Sequence, residues 1–326
     1  MAGWKVSLGA AALAVGTAAY WQFRPSPVEP CPIVPGATKV LVTGAGGRTG
    51  SILLRNLLAS EKFAPTGMVR SEASKRKLAA KLGHEAAALP LVLGDVTKGG
   101  LAQAMRGQEC LVVLTSACPK IVYSSLPKVM WAKLTSSKKV SPDFVYPAGG
   151  APEEVDWLGQ KAQIDAAVSA NVKHVVLVSS MGGTDPDHFL NRMGNGKILL
   201  WKRKAEQYLI SSGRRFTIIH PGGLLPHFGR RGPVAGGERE LVVGVDDVLL
   251  KEKEHNSIPR EDLAEVCHRC LLEPSAFNRS FDLGSKSPGD GVAWDGSVEA
   301  LLAPLQDRNC DYSAPDLAPL LSSGTC

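Results

Sequence analysis

The sequence predicts an α/β fold built on a doubly wound parallel sheet, with a small C-terminal cap. Three observations indicate it: short β-branched runs alternate with helical patterns from Thr38 onward, these runs are apolar almost throughout, and glycines stand where helices should end. The alternation is typical of βαβ units, and continuous apolar runs are typical of strands buried on both faces. Right-handed crossovers would then place the strands in one sheet.

Six strands and five helices account for this pattern. The strands are predicted at residues 39–43, 66–69, 91–93, 111–114, 174–178 and 217–219. Apolar residues spaced by three and four predict the helices at residues 48–59, 72–82, 101–105, 155–170 and 197–211. Gly83, Gly107 and Gly213 follow three of these helices and suit their C-terminal caps.

Three segments interrupt the alternation. The insertions at residues 118–154 and 181–196 each follow a strand, where ligands bind in parallel sheets. The cap is expected after Gly222 and comprises a strand at 240–245, a helix at 260–272 and a strand at 281–283.

The chain therefore divides into three predicted parts. A hydrophobic segment with a proline-rich linker covers residues 1–37, and the domain with its cap covers residues 38–287. Residues 288–326 are rich in Pro, Gly and Ser, and we expect a loosely structured tail with one helix at 298–305.

Composition excludes several classes of protein. The 326 residues are 44% hydrophobic and 21% charged, which is typical of a globular chain and excludes bulk disorder. Lys and Arg number 37 against 31 Asp and Glu, and this weak, dispersed excess does not predict nucleic-acid binding. Seven cysteines at irregular spacing do not suggest a disulfide framework.

The N-terminal segment leaves location open. Residues 6–23 carry no charge and just reach the length at which a helix can span a bilayer. A membrane anchor, a secretory signal and an organellar transit peptide are alternative interpretations. We expect an organellar or membrane-anchored protein, with chloroplast or mitochondrion favoured and cytoplasm as the alternative.

The strongest motif is a glycine-rich turn between the first strand and the first helix. Gly44, Gly47 and Gly50 have G-x-x-G-x-x-G spacing, with Ala45, Arg48 and Thr49 between them. Glycines let the chain turn tightly and let backbone N–H groups approach a pyrophosphate, while the helix N-terminus supplies positive potential. In this strand–turn–helix context the motif predicts dinucleotide binding.

The end of the second strand favours NADP(H) over NAD(H). An NAD site usually has Asp or Glu there, whereas this chain has Arg70. Arg70 and Arg48 can form charge-assisted hydrogen bonds to a 2′-phosphate, although Arg70 could also be a solvated residue at a helix start. Asp95 and Val96 end the third strand beside the expected adenine site, with helix capping as the alternative role of Asp95. Thr115 and Ser116 end the fourth strand and would line the ribose side of the cofactor.

These residues resemble the atypical short-chain dehydrogenase/reductase-like proteins with an NAD(P)H-binding, NmrA-like domain, and a plant NADP-binding subgroup in particular. The segments that carry the resemblance are residues 41–50, 155–161, 180–188, 201–209, 217–224 and 281–285. The resemblance implies a Rossmann fold and bound NADP(H), with the glycine turn, Arg48, Arg70, Asp95, Thr115, Ser116, Lys204 and Pro221, Gly222 and Gly223 as contacts. His220 departs from it, since the subgroup has arginine there.

The catalytic signature of short-chain reductases is missing. These enzymes protonate the reduced carbonyl with the tyrosine of a Tyr-x-x-x-Lys pair, and that pattern occurs nowhere in this sequence. Lys204 lies in the helix that should carry the pair, but Leu200 stands four residues before it. We expect Ser180 and Lys204 beside the nicotinamide. The alternative for Lys204 is a basic helix face shared with Lys202 and Arg203, and the alternative for Ser180 is a hydrogen bond that only satisfies the backbone. Tyr123, Tyr146 and His188 in the insertions are alternative proton donors without supporting spacing.

Metal binding is not predicted. Cys267 and Cys270 have C-x-x-C spacing, but they lie in a helical pattern with no second pair nearby, so a packed helix is the expected role.

Two functions remain open. The first is an NADPH-dependent reductase of a small quinone-, flavin- or carbonyl-like substrate, and the second is a non-catalytic NADP(H)-binding module that senses redox state or supports an unknown protein partner. The missing tyrosine favours the module, whereas insertions able to close over a small molecule favour the reductase.

Overall fold

The computed structural model describes residues 36–83, 89–135, 140–225, 228–229, 232–252 and 254–313. Residues 6–23, the predicted anchor or targeting segment, lie outside this range. Among the residues that are described, none of the helices combines the length and apolar character that crossing a bilayer requires.

The described strands number β1 to β14 in chain order. Their bounds are β1 Thr38–Thr43, β2 Phe63–Val69, β3 Leu91–Leu93, β4 Cys110–Val113, β5 Lys120–Ile121, β6 Phe144–Val145, β7 His174–Val178, β8 Arg215–Pro221, β9 Gly223–Leu225, β10 Phe228–Gly229, β11 Gly232–Pro233, β12 Leu241–Gly244, β13 Ser257–Pro259 and β14 Arg279–Ser285.

The described α-helices number α1 to α9. Their bounds are α1 Arg48–Leu58, α2 Glu72–Leu82, α3 Leu101–Met105, α4 Leu126–Thr135, α5 Gln160–Ser169, α6 Phe189–Arg192, α7 Ile198–Ser211, α8 Arg260–Cys270 and α9 Val298–Leu302. A π-helical stretch at Glu153–Gly159 runs directly into α5, so the single helix expected at 155–170 has two parts.

Eight strands form the main sheet, in the order β12-β14-β8-β7-β4-β1-β2-β3. Every neighbouring pair is parallel except β12 with β14. The chain proceeds from β1 outward through β2 to β3 and then returns to the other side of β1 with β4. The β1–β4 junction is therefore the topological switch point, where ligands bind in such sheets. The predicted doubly wound fold is confirmed.

Both faces of this sheet are covered, as the continuous apolar runs predict. In β1, Val40 and Val42 belong to one core cluster and Leu41 to the other, and β4 divides its side chains in the same way. Alternating side chains of one strand point to opposite faces, so each face needs its own layer of helices.

The predicted cap is only partly separate from the sheet. The strands expected at 240–245 and 281–283 are β12 and β14, and they extend the main sheet beyond β8. The sequence did not indicate that β14 belongs to the main sheet, because Arg279, Ser280 and Asp282 interrupt its apolar pattern although all three are buried. Smaller pairs, β9 with β13 and β10 with β11, lie apart from the main sheet.

The final described segment differs from the expected loose tail. Val298, Leu301 and Leu302 of α9 are buried, and so is Cys310 farther along the chain. Ser280 Oγ accepts a hydrogen bond from the Cys310 N–H at 3.0 Å, which attaches this segment to β14. Residues 314–326 lie outside the described residues.

Candidate functional site

The glycine turn lies at the switch point of the sheet. Gly44 has φ +69°, and a Cβ there would lie 2.7 Å from the carbonyl carbon and oxygen of Leu114, at the end of β4. A Cβ on Gly50 would collide with the Gly44 carbonyl oxygen and lie 3.0 Å from Cα of Ala45. The turn therefore brings β1, α1 and β4 into backbone contact, and side chains there would block it.

The N-terminus of α1 is suited to an anion. Gly47 occupies the N-cap position without a side-chain hydrogen bond, and the first turn contains no acidic residue. Its first N–H groups are thus not capped by a side chain, and they carry the positive end of the helix dipole. Lys81 of α2 adds a cation here, since its Nζ donates to the Gly46 carbonyl at 3.3 Å. The residues present fit a pyrophosphate.

A buried amide links the turn to the end of β4. Gln163 of α5 accepts a hydrogen bond from Thr43 Oγ1 at 2.6 Å and donates to Thr115 Oγ1 at 3.0 Å. Gln160 donates to the Thr115 carbonyl at 3.3 Å. Thr115 is thereby positioned at the edge of the sheet, while its neighbour Ser116 is exposed.

The residues predicted to select the cofactor are grouped at the ends of β2 and β3. Arg70 is exposed, and together with Lys98 it is close enough to affect the half-buried Asp95. Burial opposes ionisation of Asp95, but hydrogen bonds from Thr97 and these two cations outweigh it and lower its pKa.

The remaining predicted cofactor contacts have distinct surroundings. Arg48 is exposed at the first position of α1, and burial together with the nearby Arg48 lowers the pKa of Arg260. Val96 is buried, and a Cβ on Gly159 would lie 2.8 Å from its Cγ2. Arg48 and Arg260 thus bring two guanidinium groups together near the glycine turn.

The segment after β8 is held by its backbone. The Met181 N–H donates to the Pro221 carbonyl at 3.2 Å, and the Gly223 N–H donates to the Asn256 carbonyl at 2.8 Å. A Cβ on Gly222 would collide with that same carbonyl oxygen. The glycines here permit close packing of two backbone segments.

Lys202 and Lys204 of α7 have different environments. Lys202 Nζ lies 2.7 Å from Asp156 Oδ1, and both side chains are buried. The other Asp156 oxygen accepts the Ala117 N–H at 2.9 Å, in the loop that follows β4. By contrast, Lys204 Nζ lies 4.5 Å from the Trp157 ring centre. Lys202 is thus the lysine of this helix that is connected to the switch-point edge.

Ser180 lines a pocket beyond the end of β7. The pocket is narrow, and its lining includes Glu206, His220, Asp282 and Cys310. Although burial opposes ionisation of Glu206, the facing His220 lowers the pKa of that carboxyl to about 2, with help from Arg203.

The three proton donors predicted in the insertions have surroundings that do not favour general acid catalysis. Burial, with a smaller contribution from the nearby Asp156, raises the pKa of Tyr146 to about 12. Tyr123 is 79% exposed. His188 accepts the Leu190 N–H through Nδ1 at 3.3 Å, so it serves as the N-cap of α6.

Comparison with known proteins identifies the family. A model described as NAD(P)H-binding matches residues 44–274, which is more than half of the chain. The chain belongs to this NAD(P)H-binding family. The resemblance predicted from the sequence is thereby confirmed, and so is the general class of cofactor.

Relatives of known sequence and structure agree with this assignment. Sanguinarine reductase of Eschscholzia californica is 46% identical over 267 residues, which cover 78% of this chain and 91% of that protein. The protein named "Uncharacterized protein At2g37660, chloroplastic" of Arabidopsis thaliana is 46% identical over 255 residues, covering 78% and 71% of the two chains. A short-chain dehydrogenase/reductase of Veillonella parvula in complex with NADP shares the fold, with a TM-score of 0.52 and 15% identity over 80% of this chain and 99% of that one.

Several residues of this site were missed by sequence reasoning. Asp156, Gln163 and Lys202 lie on helices whose polar residues look like a solvated face, and Lys81 belongs to a run of surface cations. A buried charge has no local sequence signal. Lys202 and the predicted Lys204 lie on the same helix, and only the directions of their side chains distinguish them.

Proposed function

We propose that this chain is an NADPH-dependent reductase of a small quinone-, flavin- or carbonyl-like substrate. The observation that carries the proposal is the buried Asp156–Lys202 pair, which is hydrogen-bonded to the loop after β4 next to the glycine turn. A buried pair costs stability relative to apolar residues, so its presence at the cofactor edge favours a functional role. The 46% identity to a sanguinarine reductase supports reduction of a small organic molecule.

Bound NADPH would supply a hydride to the substrate. Lys202, held in place by Asp156, orients the ribose at the nicotinamide end of the site. Ser180 offers its hydroxyl to the acceptor atom of the substrate from the end of β7, the strand next to β4. A quinone or flavin needs no acid from the protein, because its reduced form takes a proton from water.

Lys202 thus takes the role that the sequence predicts for Lys204. Replacing each lysine by Met provides a matched pair on one helix. We expect Lys202→Met to raise the NADPH Kd at least about tenfold, which corresponds to loss of one charged hydrogen bond, and Lys204→Met to change it less than about twofold. The double variant Asp156→Asn/Lys202→Met leaves neither buried charge unpaired and should therefore fold. If it folds and still binds NADPH weakly, the weak binding is not a result of unfolding.

Preference for the extra phosphate is part of the proposal. Arg70 and Arg48 would bind the 2′-phosphate, with Arg70 at the end of β2. Loss of a charge-assisted contact should cost about 1.5–3 kcal/mol, or about ten- to a hundredfold in affinity. Isothermal titration of Arg70→Ala with NADPH and NADH should show this loss for NADPH alone. Equal affinities of the unmodified chain for the two coenzymes would contradict the proposal.

Turnover is tested with the full chain, NADPH and a panel of quinones, flavins and aldehydes, following absorbance of the reduced coenzyme. We expect oxidation with at least one compound and a fall of at least about tenfold for Ser180→Ala. NADPH binding in Ser180→Ala should remain within about twofold, since the serine contacts the substrate.

A non-catalytic NADP(H)-binding module is the second candidate. The positions four residues before Lys202 and Lys204 are Ile198 and Leu200, both buried and unable to donate a proton. Tight NADPH binding without oxidation across the whole panel would favour the module over the reductase.

We further propose that the protein works in an organelle, the chloroplast in particular. The support is the chloroplastic designation of a relative with 46% identity and the uncharged, apolar segment at residues 6–23. A fluorescent fusion of the full chain should accumulate in chloroplasts, and removal of residues 1–24 should release it to the cytoplasm. Carbonate extraction separates a membrane anchor from a transit peptide.

A further inference from the structure

Three metal-ligating side chains from distant parts of the chain meet in the interior. Nδ1 of His220, a carboxylate oxygen of Asp282 and Sγ of Cys310 lie within 4.8 Å of one another, and all three residues are buried. Nδ1 is 3.5 Å from Sγ and 3.5 Å from Oδ1 of Asp282. Around tetrahedral Zn²⁺ the corresponding edges are about 3.4–3.6 Å, given bond lengths of about 2.0–2.3 Å. Two edges of the cluster therefore already fit such an ion.

The backbone holds each ligand in place. His220 of β8 and Asp282 of β14 are direct partners in the register of the two parallel strands. Cys310 is fixed to β14 by the hydrogen bond from its N–H to Ser280 Oγ, and the adjacent Asn309 side chain accepts the Ser280 N–H at 2.8 Å. Ligands on rigid elements give a preorganised site.

Glu206 orients the imidazole. Its Oε2 lies 3.0 Å from Nε2 of His220, and the carboxylate is itself bonded to the Ser179 hydroxyl and to Arg203. Histidines that bind metals commonly donate their second ring N–H to a carboxylate, which fixes the tautomer and directs the other nitrogen to the ion. Here that other nitrogen is Nδ1, which faces Asp282 and Cys310.

The charges around the cluster suit a cation. Arg203 lies 3.3 Å from Glu206 and offsets its charge. Asp282 uses Oδ2 to accept the Asp247 N–H at 2.7 Å, which leaves Oδ1 for an ion. Asp246 and Asp247 line the same pocket. A thiolate and one carboxylate would balance the two positive charges of the ion.

We propose that His220, Asp282 and Cys310 bind a divalent metal ion of the zinc class, with the fourth coordination position facing the pocket that Ser180 also lines. A set of one nitrogen, one sulfur and one oxygen ligand favours Zn²⁺ or Co²⁺ over Mg²⁺ and Ca²⁺, which take oxygen ligands. Three protein ligands with one open position are typical of zinc sites that also bind a small molecule. The proposal goes beyond the proposed reductase function and does not depend on it.

Sequence spacing did not indicate this site, since Cys310 and His220 are 90 residues apart. The C-x-x-C pair, Cys267 and Cys270, lies elsewhere. Burial raises the pKa of Cys267 to about 12, and it lies with Cys270 inside α8. Those two thiols are packed in the core.

The test uses the full chain after treatment with a chelator and gel filtration. Co²⁺ is added first, because a cysteine ligand produces a thiolate-to-cobalt charge-transfer band in the near ultraviolet. Zn²⁺ is then added to displace it. We expect one Co²⁺ per chain, the thiolate band, and its loss on addition of one equivalent of Zn²⁺. Mg²⁺ should not displace Co²⁺.

Two variants and one control assign the ligands. Loss of an outer-shell partner alone costs about 10- to 100-fold in metal affinity, so loss of a direct ligand should cost more than about 100-fold. We expect this for Cys310→Ser and for His220→Arg, which places a cation beside Glu206 and Asp282 in the absence of the metal and so protects the fold. Cys118→Ser, which removes an exposed thiol elsewhere, should bind as the unmodified chain does.

Far-ultraviolet circular dichroism and thermal unfolding without metal show which variants fold, independently of NADPH binding. The proposal is overturned if the folded chain gives no thiolate–cobalt band, or if a folded His220→Arg or Cys310→Ser variant keeps the original affinity.

Discussion

The two sides of the sheet's carboxyl edge are built in different ways. Around β1 and β2 the site consists of backbone: three glycines, a helix N-terminus and the end of a neighbouring strand, with the main contacts within one short segment. Around β7, β8 and β14 it consists of side chains that come together from distant positions, such as Glu206, His220, Asp282 and Cys310. The first side offers a ligand a shaped backbone and a helix dipole, whereas the second depends on buried charge.

This difference predicts at which positions a substitution should reduce stability or ligand binding. A backbone cradle tolerates changes wherever a Cβ has room, but not at the points of close approach. A buried ionic network is sensitive at each member, because removal of one charge leaves its partner unpaired.

The largest effect should follow from breaking the buried Asp156–Lys202 pair, a side-chain contact that lies at the β4 end of this edge. Lys202→Met leaves the Asp156 carboxylate unpaired in the interior, and we expect the free energy of unfolding to fall by about 3–5 kcal/mol. Lys161→Met provides the matched control, since its pair with Asp165 has the same 2.7 Å separation but is 36% and 46% exposed. It should cost at most about 1 kcal/mol. If denaturant unfolding shows similar losses of unfolding free energy for the two variants, the predicted difference between a buried and an exposed ion pair is wrong.

The next effect is a loss of stability at low pH that depends on the buried His174 of β7. His174 is buried, and burial lowers its pKa to about 4, with Arg215 contributing. The unfolded chain takes up this proton near pH 6.5 and the folded chain only near pH 4. The contribution of the neutral, buried His174 to the free energy of unfolding is therefore fully present above about pH 6.5. It is lost as the pH falls toward 4, which lowers the free energy of unfolding by about 3 kcal/mol.

Chemical unfolding of the unmodified chain and of His174→Gln across this range isolates the contribution. The variant cannot acquire the charge, so its stability should depend less on pH between 4 and 6.5. Parallel curves would show that the histidine is not responsible.

The smallest effect compares two glycines of the backbone side. Gly50→Ala pushes the Gly44 carbonyl away, and we expect a loss of about 1–3 kcal/mol in unfolding free energy and at least about tenfold weaker NADPH binding. Gly46→Ala should be close to neutral, because its Cβ would meet only Val69 Cγ1 at 3.8 Å. Equal binding by both variants would contradict the described turn.

The sequence predicted the first side well for a physical reason. The positions of β1, α1 and the glycine turn depend on local patterns, and the structure confirms them within about one residue. The start of β2 at Phe63 was missed because Pro65 lies inside the strand, where proline usually indicates a break. Pro65 is tolerated because β3 pairs with β2 only from Gly67 onward.

The second side was harder to predict because burial of a polar residue has no local pattern. β14 extends the sheet although polar residues alternate through it, and the segment carrying Cys310 is packed although its composition resembles a tail. The choice between Lys202 and Lys204 required knowing which face of α7 turns inward.

The sequence by itself determined the order of the main-sheet strands and of most helices between them, the glycine turn and the family, because each is encoded in neighbouring residues. Only the tertiary structure decided which charges are buried together, how far the sheet extends past β8 and that His220, Asp282 and Cys310 meet. Those contacts join residues far apart in the chain, and they exist only because folding excludes water from them.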